Sequence, residues 1–233
     1  MTRSAGEIIL IAGDPDHIGR GKDPLLAVVL QRLGLTRPHV AYVGAASNDS
    51  RIFFLWIAAR LKQAGAGLVR LAPLAGRRSV PAKAWPLLEQ ADVLFVSGGD
   101  VELGMGVLER TGAAGRLREL HRAGKPFIGI SAGSIMLAGS WVRWANARDD
   151  STAESFPCLG LAPLLCDTHA EGDDWEELKV LLRLTGAPVG YGIPSGTALH
   201  VAPNGPVTAL GGPVQRLVMN AAGFERLPDL PLH

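Results

Sequence analysis

Lys125-Pro126-Phe127-Ile128-Gly129-Ile130-Ser131, running on into Ala132-Gly133-Ser134-Ile135-Met136-Leu137-Ala138-Gly139, is the stretch on which the fold turns. Its first half is a short unbroken apolar run. It lacks the alternation of a strand with one wet face and is too short for a helix. Its second half carries apolar residues at helical spacing. A strand buried on both faces that feeds a helix through a glycine-flanked turn belongs to a parallel sheet covered by helices on each side.

The same unit recurs upstream. Apolar runs at Glu7–Gly13, His39–Ala46, Gly67–Leu74 and Ala91–Gly99 alternate with helical patterns. The helices are expected at Pro24–Leu33, Ser50–Ala64, Pro81–Gln90 and Leu103–Ala123, the last broken by glycines at its start. Ser50 or Asn48 is the expected N-cap of the second, and Gly65 its stop. After Gly139 the pattern changes. Trp141–Phe156 reads as an irregular excursion, Leu164–His169 as a short strand and Asp174–Leu184 as a helix. Pro188–Met219 holds short β-like runs parted by Pro203-Asn204-Gly205-Pro206 and Gly211-Gly212-Pro213, which are turn chemistry. The expectation is one α/β domain over 1–233: a three-layer, doubly wound, mostly parallel sheet. The late strands are expected to extend that sheet and to add antiparallel strands.

Composition narrows the function. The 233 residues are 47% hydrophobic and 19% charged, enough for a large core without staples. Twenty-three basic against 22 acidic residues argue against a nucleic-acid partner bound by charge. Two cysteines, Cys158 and Cys166, make neither a disulfide framework nor a four-ligand zinc site, and read as small buried hydrophobes. Met1–Glu7 lacks a basic region followed by a long apolar run, and no stretch approaches the ~20 apolar residues of a membrane helix. A soluble cytoplasmic protein without a membrane partner is expected.

Gly129-Ile130-Ser131-Ala132-Gly133 is a G-x-S-x-G between a predicted strand and a predicted helix, the context of a nucleophile elbow. So tight a turn needs small neighbours, lifts the Ser131 hydroxyl above the sheet and points the Ala132 amide where an oxyanion would form. Gly98-Gly99 ends the preceding predicted strand. A Gly99 amide is a second oxyanion donor if the two strands are neighbours; otherwise the turn is a plain one with Asp100 capping the next helix. A serine nucleophile needs a base. Of six histidines, His233 is terminal, and His39 and His121 read as surface positions. His169 ends a predicted strand at the elbow's edge and is the expected base, with His17 and His200 as alternatives.

Val96-Ser97-Gly98-Gly99-Asp100, then the elbow, then Leu159-Gly160-Leu161 with Asp167-Thr168-His169, then Gly192-Ile193-Pro194-Ser195-Gly196-Thr197-Ala198, resembles the peptidase E and cyanophycinase family of serine peptidases. The resemblance runs from about residue 5 to 220. It implies a flavodoxin-like α/β fold related to class I glutamine amidotransferases. It also implies a Ser131 nucleophile, a His169 base, oxyanion amides from Gly99 and Ala132, and neither metal nor organic cofactor.

Two departures from that family stand out. Where it has an acidic residue before the Thr-Ala pair, this chain has Pro194-Ser195-Gly196. Ser195 is therefore the expected third member, with Glu171 as the alternative orienter of His169 and Asp167 or water behind it. Where the family carries arginines at the start of the next helix, Asp174 and Glu177 fall. Between Asp167 and Glu177 there are six carboxylates and no Lys or Arg. This is either an acidic, solvated first turn or, with Asp100, a substrate-binding region of reversed charge that repels an aspartyl side chain and attracts an amine. Trp141, Trp144 and Phe156 read as ordinary packing, or as lining a pocket or subunit contact.

The leading expectation is a serine exopeptidase acting on short peptides, an aminopeptidase or dipeptidase not restricted to N-terminal aspartate. An aspartyl dipeptidase or cyanophycinase-like hydrolase, an amidotransferase-like amidohydrolase and a degenerate binding or scaffold protein are the rivals. A homo-oligomer is compatible with all of them.

Overall fold

The computed structural model describes residues 4–13, 23–76, 79–146, 149–203, 206–221, 223–230 and 232. The elements in chain order are β1 (Ile8–Ile11), α1 (Pro24–Arg32), β2 (Val40–Val43), α2 (Arg51–Gln63), β3 (Val69–Ala72), α3 (Trp85–Gln90), β4 (Val93–Val96), α4 (Val101–Arg110), α5 (Ala113–Arg122), β5 (Phe127–Ile130) and α6 (Ala132–Leu137). They continue with β6 (Ser140–Trp144), β7 (Ala153–Pro157), β8 (Leu165–Thr168), α7 (Glu176–Thr185), β9 (Gly190–Ile193), β10 (Ala198–Val201), β11 (Val207–Leu210), β12 (Gln215–Asn220) and β13 (Gly223–Leu227).

Seven strands form the main sheet in the order β11-β10-β1-β5-β4-β2-β3. β1, β5, β4, β2 and β3 run parallel, and β10 and β11 join antiparallel at the β1 edge. The unbroken apolar runs have a simple cause. Side chains of a strand alternate in direction, and both faces are buried here. Leu10, Val43, Leu94, Val96 and Phe127 enter one core with α3 to α6. Ile9, Ile11, Tyr42, Phe95 and Ile128 enter the other with α1 and α2. The sheet is thus mixed, with helices on both sides, as the apolar runs and the resemblance lead one to expect. Ser50 caps α2 through the Phe53 N–H, and Asp100 caps α4 through the Leu103 N–H.

Several expectations need correction. The single helix over Leu103–Ala123 is two, α4 and α5, parted at Gly112 with φ +75°. The irregular excursion is an antiparallel hairpin, β6 with β7, pairing Trp141 with Phe156. β8 does not extend the main sheet, because the position beside β1 is taken by β10. It pairs in parallel with β9 in a second, four-stranded sheet, β13-β12-β9-β8. A third core of Val142, Leu165, Trp175, Leu178, Leu181 and Leu217 packs α7 and the hairpin onto that sheet. Asp174 and Trp175 are left-handed, with φ +57° and +64°, so α7 starts later than expected, at Glu176.

His121 is buried, not at the surface, and its Nε2 lies 2.9 Å from the Gly6 carbonyl oxygen. His200 is buried in β10 beside Glu7. His17 and His233 lie outside the described residues. Cys158 and Cys166 are free and buried, and burial pushes the Cys158 thiol up to about 12. Among the described residues no helix is long and apolar enough to cross a membrane.

Candidate active site

Parallel strands bring their carboxyl ends to one edge, and β4 and β5 are neighbours with Val96 opposite Gly129. Ser131 follows β5 directly, with φ +53° and ψ −125°, a strained conformation for a non-glycine residue. The Ile11 carbonyl anchors it, accepting the Ser131 N–H at 2.8 Å and the Ser134 hydroxyl at 2.9 Å. A Cβ on Gly129 would lie 2.7 Å from the Gly133 oxygen, and one on Gly133 would lie 2.1 Å from the Val96 oxygen. The G-x-S-x-G spacing is therefore a packing requirement of this turn.

Gly98 lies against the elbow: a Cβ there would be 3.2 Å from Ser131 Cβ and 3.7 Å from Ser131 Oγ. Gly99 has φ +139°, and its Cα packs on the Ala46 carbonyl, which accepts the Asp100 N–H at 2.9 Å. The Gly98–Gly99 peptide is thus held beside Ser131 by the segment after β2. Asp100 is exposed and occupied as a helix cap.

His169 comes from the other sheet. Its N–H donates to the Ile193 carbonyl at 3.0 Å, its φ is +47°, and its Nε2 lies 2.8 Å from Ser131 Oγ. Ser131 is half-buried and His169 exposed, so the pair opens to solvent. No hydrogen bond joins the His169 ring to Ser195 or Glu171 among the described residues. Those two bond to each other, the Ser195 N–H donating to Glu171 Oε1 at 3.0 Å, a link that no sequence pattern announces. An apolar cleft of about 510 Å³, lined by Ile8, His121, Tyr191 and Val207 among others, lies at the amino ends of β1 and β11, and Ser131 is not part of its lining.

The model of peptidase family S51 matches residues 9–206, which include the elbow, His169 and Ser195. The chain belongs to peptidase family S51. Peptidase E of Streptomyces coelicolor is 34% identical over 135 residues, 54% of this chain and 54% of that one. Peptidase E of Haemophilus influenzae is 30% identical over 124 residues, 49% of this chain and 56% of that one. The chain thus spans about half the length of the curated relatives it matches. The crystal structure of a peptidase from an acI-B1 actinobacterium shares the fold, with a TM-score of 0.72 at 17% identity over 97% of this chain and 96% of that one.

The acidic stretch of this S51 chain divides into exposed and buried groups. Asp174 points outward, 83% exposed and paired with Lys179. Glu177 is half-buried and accepts the Trp141 indole N–H at 3.2 Å; burial raises its carboxyl, the indole opposes this, and Asp173 adds to it. Of Asp174 and Glu177, only Glu177 turns inward. Asp167 lies deeper, 7% exposed. Its Oδ1 accepts the Thr168 N–H at 2.7 Å, while its Oδ2 and the Thr168 hydroxyl are buried without a partner among the described residues. Burial pushes Asp167 up to about 7 against the Thr168 hydrogen bond, with Glu177 and Asp173 raising it further.

This raised carboxyl has a consequence for stability. The unfolded chain loses the Asp167 proton near the ordinary 3.8, the folded chain near about 7. Between those values the folded state holds the extra proton, so stability falls as pH rises through that window and levels off above it. Asp167→Asn removes the effect and is expected to be the more stable chain above pH 7, by a few kcal/mol at most. Urea denaturation at pH 5 and pH 8 checks this. A parent chain whose pH dependence matches that of the variant would show that Asp167 is not protonated in the fold.

Proposed function

We propose that this chain is a serine exopeptidase that hydrolyses short peptides through an acyl-enzyme, acting from a free N-terminus and not restricted to N-terminal aspartate. In this reading the Ser131 hydroxyl attacks the scissile carbonyl while His169 Nε2 takes its proton. The carbon–nitrogen bond then breaks, and the imidazolium returns that proton to the leaving amine. The amides of Gly99 and Ala132 face the oxyanion. Water, deprotonated by the same imidazole, releases the acyl group. The observation that carries the reading is the 2.8 Å approach of His169 Nε2 to a serine on a strained strand-to-helix turn, in a chain of a peptidase family.

The substrate preference rests on charge. Beyond burial, Glu177 and Asp173 raise the Asp167 carboxyl, and Asp173 raises that of Glu177, which marks a region of negative potential. A second carboxylate brought there is opposed by like charge, whereas an α-ammonium gains partners. Ser131 is expected to be labelled by phenylmethanesulfonyl fluoride. On a panel of aminoacyl-p-nitroanilides, neutral and basic residues are expected to exceed Asp by at least ~10-fold, with N-acetylated forms slower still. A profile led by Asp, or indifference to acetylation, rules out the ammonium reading. A chain that no member of the panel engages and the fluoride leaves unmodified at Ser131 is not a peptidase of this kind.

A further inference from the structure

The carboxylate that would orient the histidine is absent after β9, where Ser195 stands. Another element brings a carboxylate to the same place. His169 leaves β8 and Ser195 leaves β9; the two strands are parallel neighbours with Thr168 opposite Ile193, so both residues emerge at one edge. Glu171 lies two residues beyond His169, in a 3-10 turn that folds back over Ser195. It accepts the Ser195 N–H at 3.0 Å. Partial burial raises Glu171, but the Ser195 hydroxyl, the Glu171 and Ser195 amides and the neighbouring His169 together hold its carboxyl below the usual range. Asp173, the other acid of that turn, couples to Asp167 and Glu177 instead.

A hydroxyl has one proton to donate and two lone pairs to accept with. A Ser195 hydroxyl whose proton is given to Glu171 has only lone pairs to offer an imidazole N–H, and the donated proton makes those lone pairs better acceptors.

We propose that Glu171 is a positioning residue that acts through Ser195, so that the order Ser131–His169–Ser195–Glu171 supplies from one step further out the negative charge this chain lacks beside its histidine. No proton reaches Glu171. The Ser131 proton goes to His169 Nε2 and on to the leaving amine. The Nδ1 proton stays on the ring and turns to Ser195 Oγ in the reacting arrangement, a bond not made in the arrangement described above, while the Ser195 proton stays directed at the carboxylate. The inference rests on Ser131 and His169 being nucleophile and base.

The test measures the rate of Ser131 modification by phenylmethanesulfonyl fluoride across pH, and kcat and KM on one substrate the parent cleaves. The chains are the parent, Glu171→Gln, Ser195→Ala and the double variant. Each single change is expected to lower kcat and the labelling rate by ~10- to 10³-fold, with KM within about threefold. The double variant is expected to be no slower than the slower single one, because the two residues act as a unit. The acid limb of the labelling profile is expected to move to lower pH in Glu171→Gln, since a carboxylate favours the protonated ring. Glu171→Asp, which keeps the charge, is expected to keep the parental limb. Multiplicative losses overturn the relay. So does a crippled Glu171→Gln beside an unimpaired Ser195→Ala, which would mean that the carboxylate touches His169 directly. A kcat loss with an unmoved acid limb reduces Glu171 to a structural clip and also overturns it. If the parent is not labelled at Ser131, the reading beneath the proposal fails first; a labelled parent with an equally labelled Glu171→Gln sinks the relay alone.

Discussion

Ser131→Ala is expected to abolish hydrolysis, with kcat down by ~10⁵-fold or more, while the protein melts within a few degrees of the parent. The reason for the intact fold is specific. Ser131 caps nothing with its side chain, and its hydroxyl bonds only to His169 among the described residues. Its φ of +53° is a strain that serine already bears, and alanine bears it no worse. His169→Ala is expected to lose a comparable factor, since neither group works without the other, and the double variant should be no slower than the single ones. Turnover by Ser131→Ala within about tenfold of the parent removes the nucleophile assignment. A double variant far below both single ones removes the shared mechanism.

The second large effect concerns a residue with no side chain. Gly99→Ala puts a Cβ 2.1 Å from the Ala46 carbonyl oxygen and 2.5 Å from its carbon, at φ +139°. Both obstacles are backbone, so the Gly98–Gly99 peptide has to shift, and with it the amide proposed to hold the oxyanion. Loss of one oxyanion donor costs ~10²- to 10³-fold in kcat, and the strain adds on the order of 1–3 kcal/mol of destabilisation. Gly34→Ala is the control. Gly34 is left-handed at φ +64° with nothing within 4 Å of the new methyl, so it carries the backbone strain alone. Kinetics and melting of both variants separate the two contributions. If Gly99→Ala loses stability but keeps kcat, its amide is not an oxyanion donor.

Much of this was legible in the sequence, and the illegible part has physical causes. β1, β2, β4 and β5 are visible as apolar runs because both faces are buried, and the elbow is visible because its glycines are sterically required. The pairing of β8 was not visible. Its Leu-Cys-Asp-Thr is buried like the main-sheet strands, and nothing in such a run says which sheet it joins; the occupied edge of β1 decides that. The hairpin of β6 and β7 was hidden because Ser-Trp-Val-Arg-Trp alternates around a single buried residue, Val142. His121 looked like a surface residue at a helix end, yet a carbonyl 115 residues away gives it a buried partner. At the site, sequence order placed Ser131 and His169 as candidates. The bond from Ser195 to Glu171 depends on left-handed residues after β8, His169 among them, which no residue type there announces.

The two halves of the reactive pair stand on separate foundations. Ser131 and the glycine turn beside it follow strands of the seven-stranded sheet, while His169, Ser195 and the acids of residues 167–177 belong with the four-stranded one and α7. Mutational drift therefore acts on them unequally. On the proposed reading, core changes in the seven-stranded half leave untouched the charges that set the preference. On the other half, residues 165–177 carry the histidine and the charges around it on one short piece of backbone. A lineage acquiring a new diet must remodel that piece and, in the same step, preserve the ring's aim at a serine it does not share a sheet with. If those charges set the preference, as proposed, preference and reactivity are inherited there as one trait.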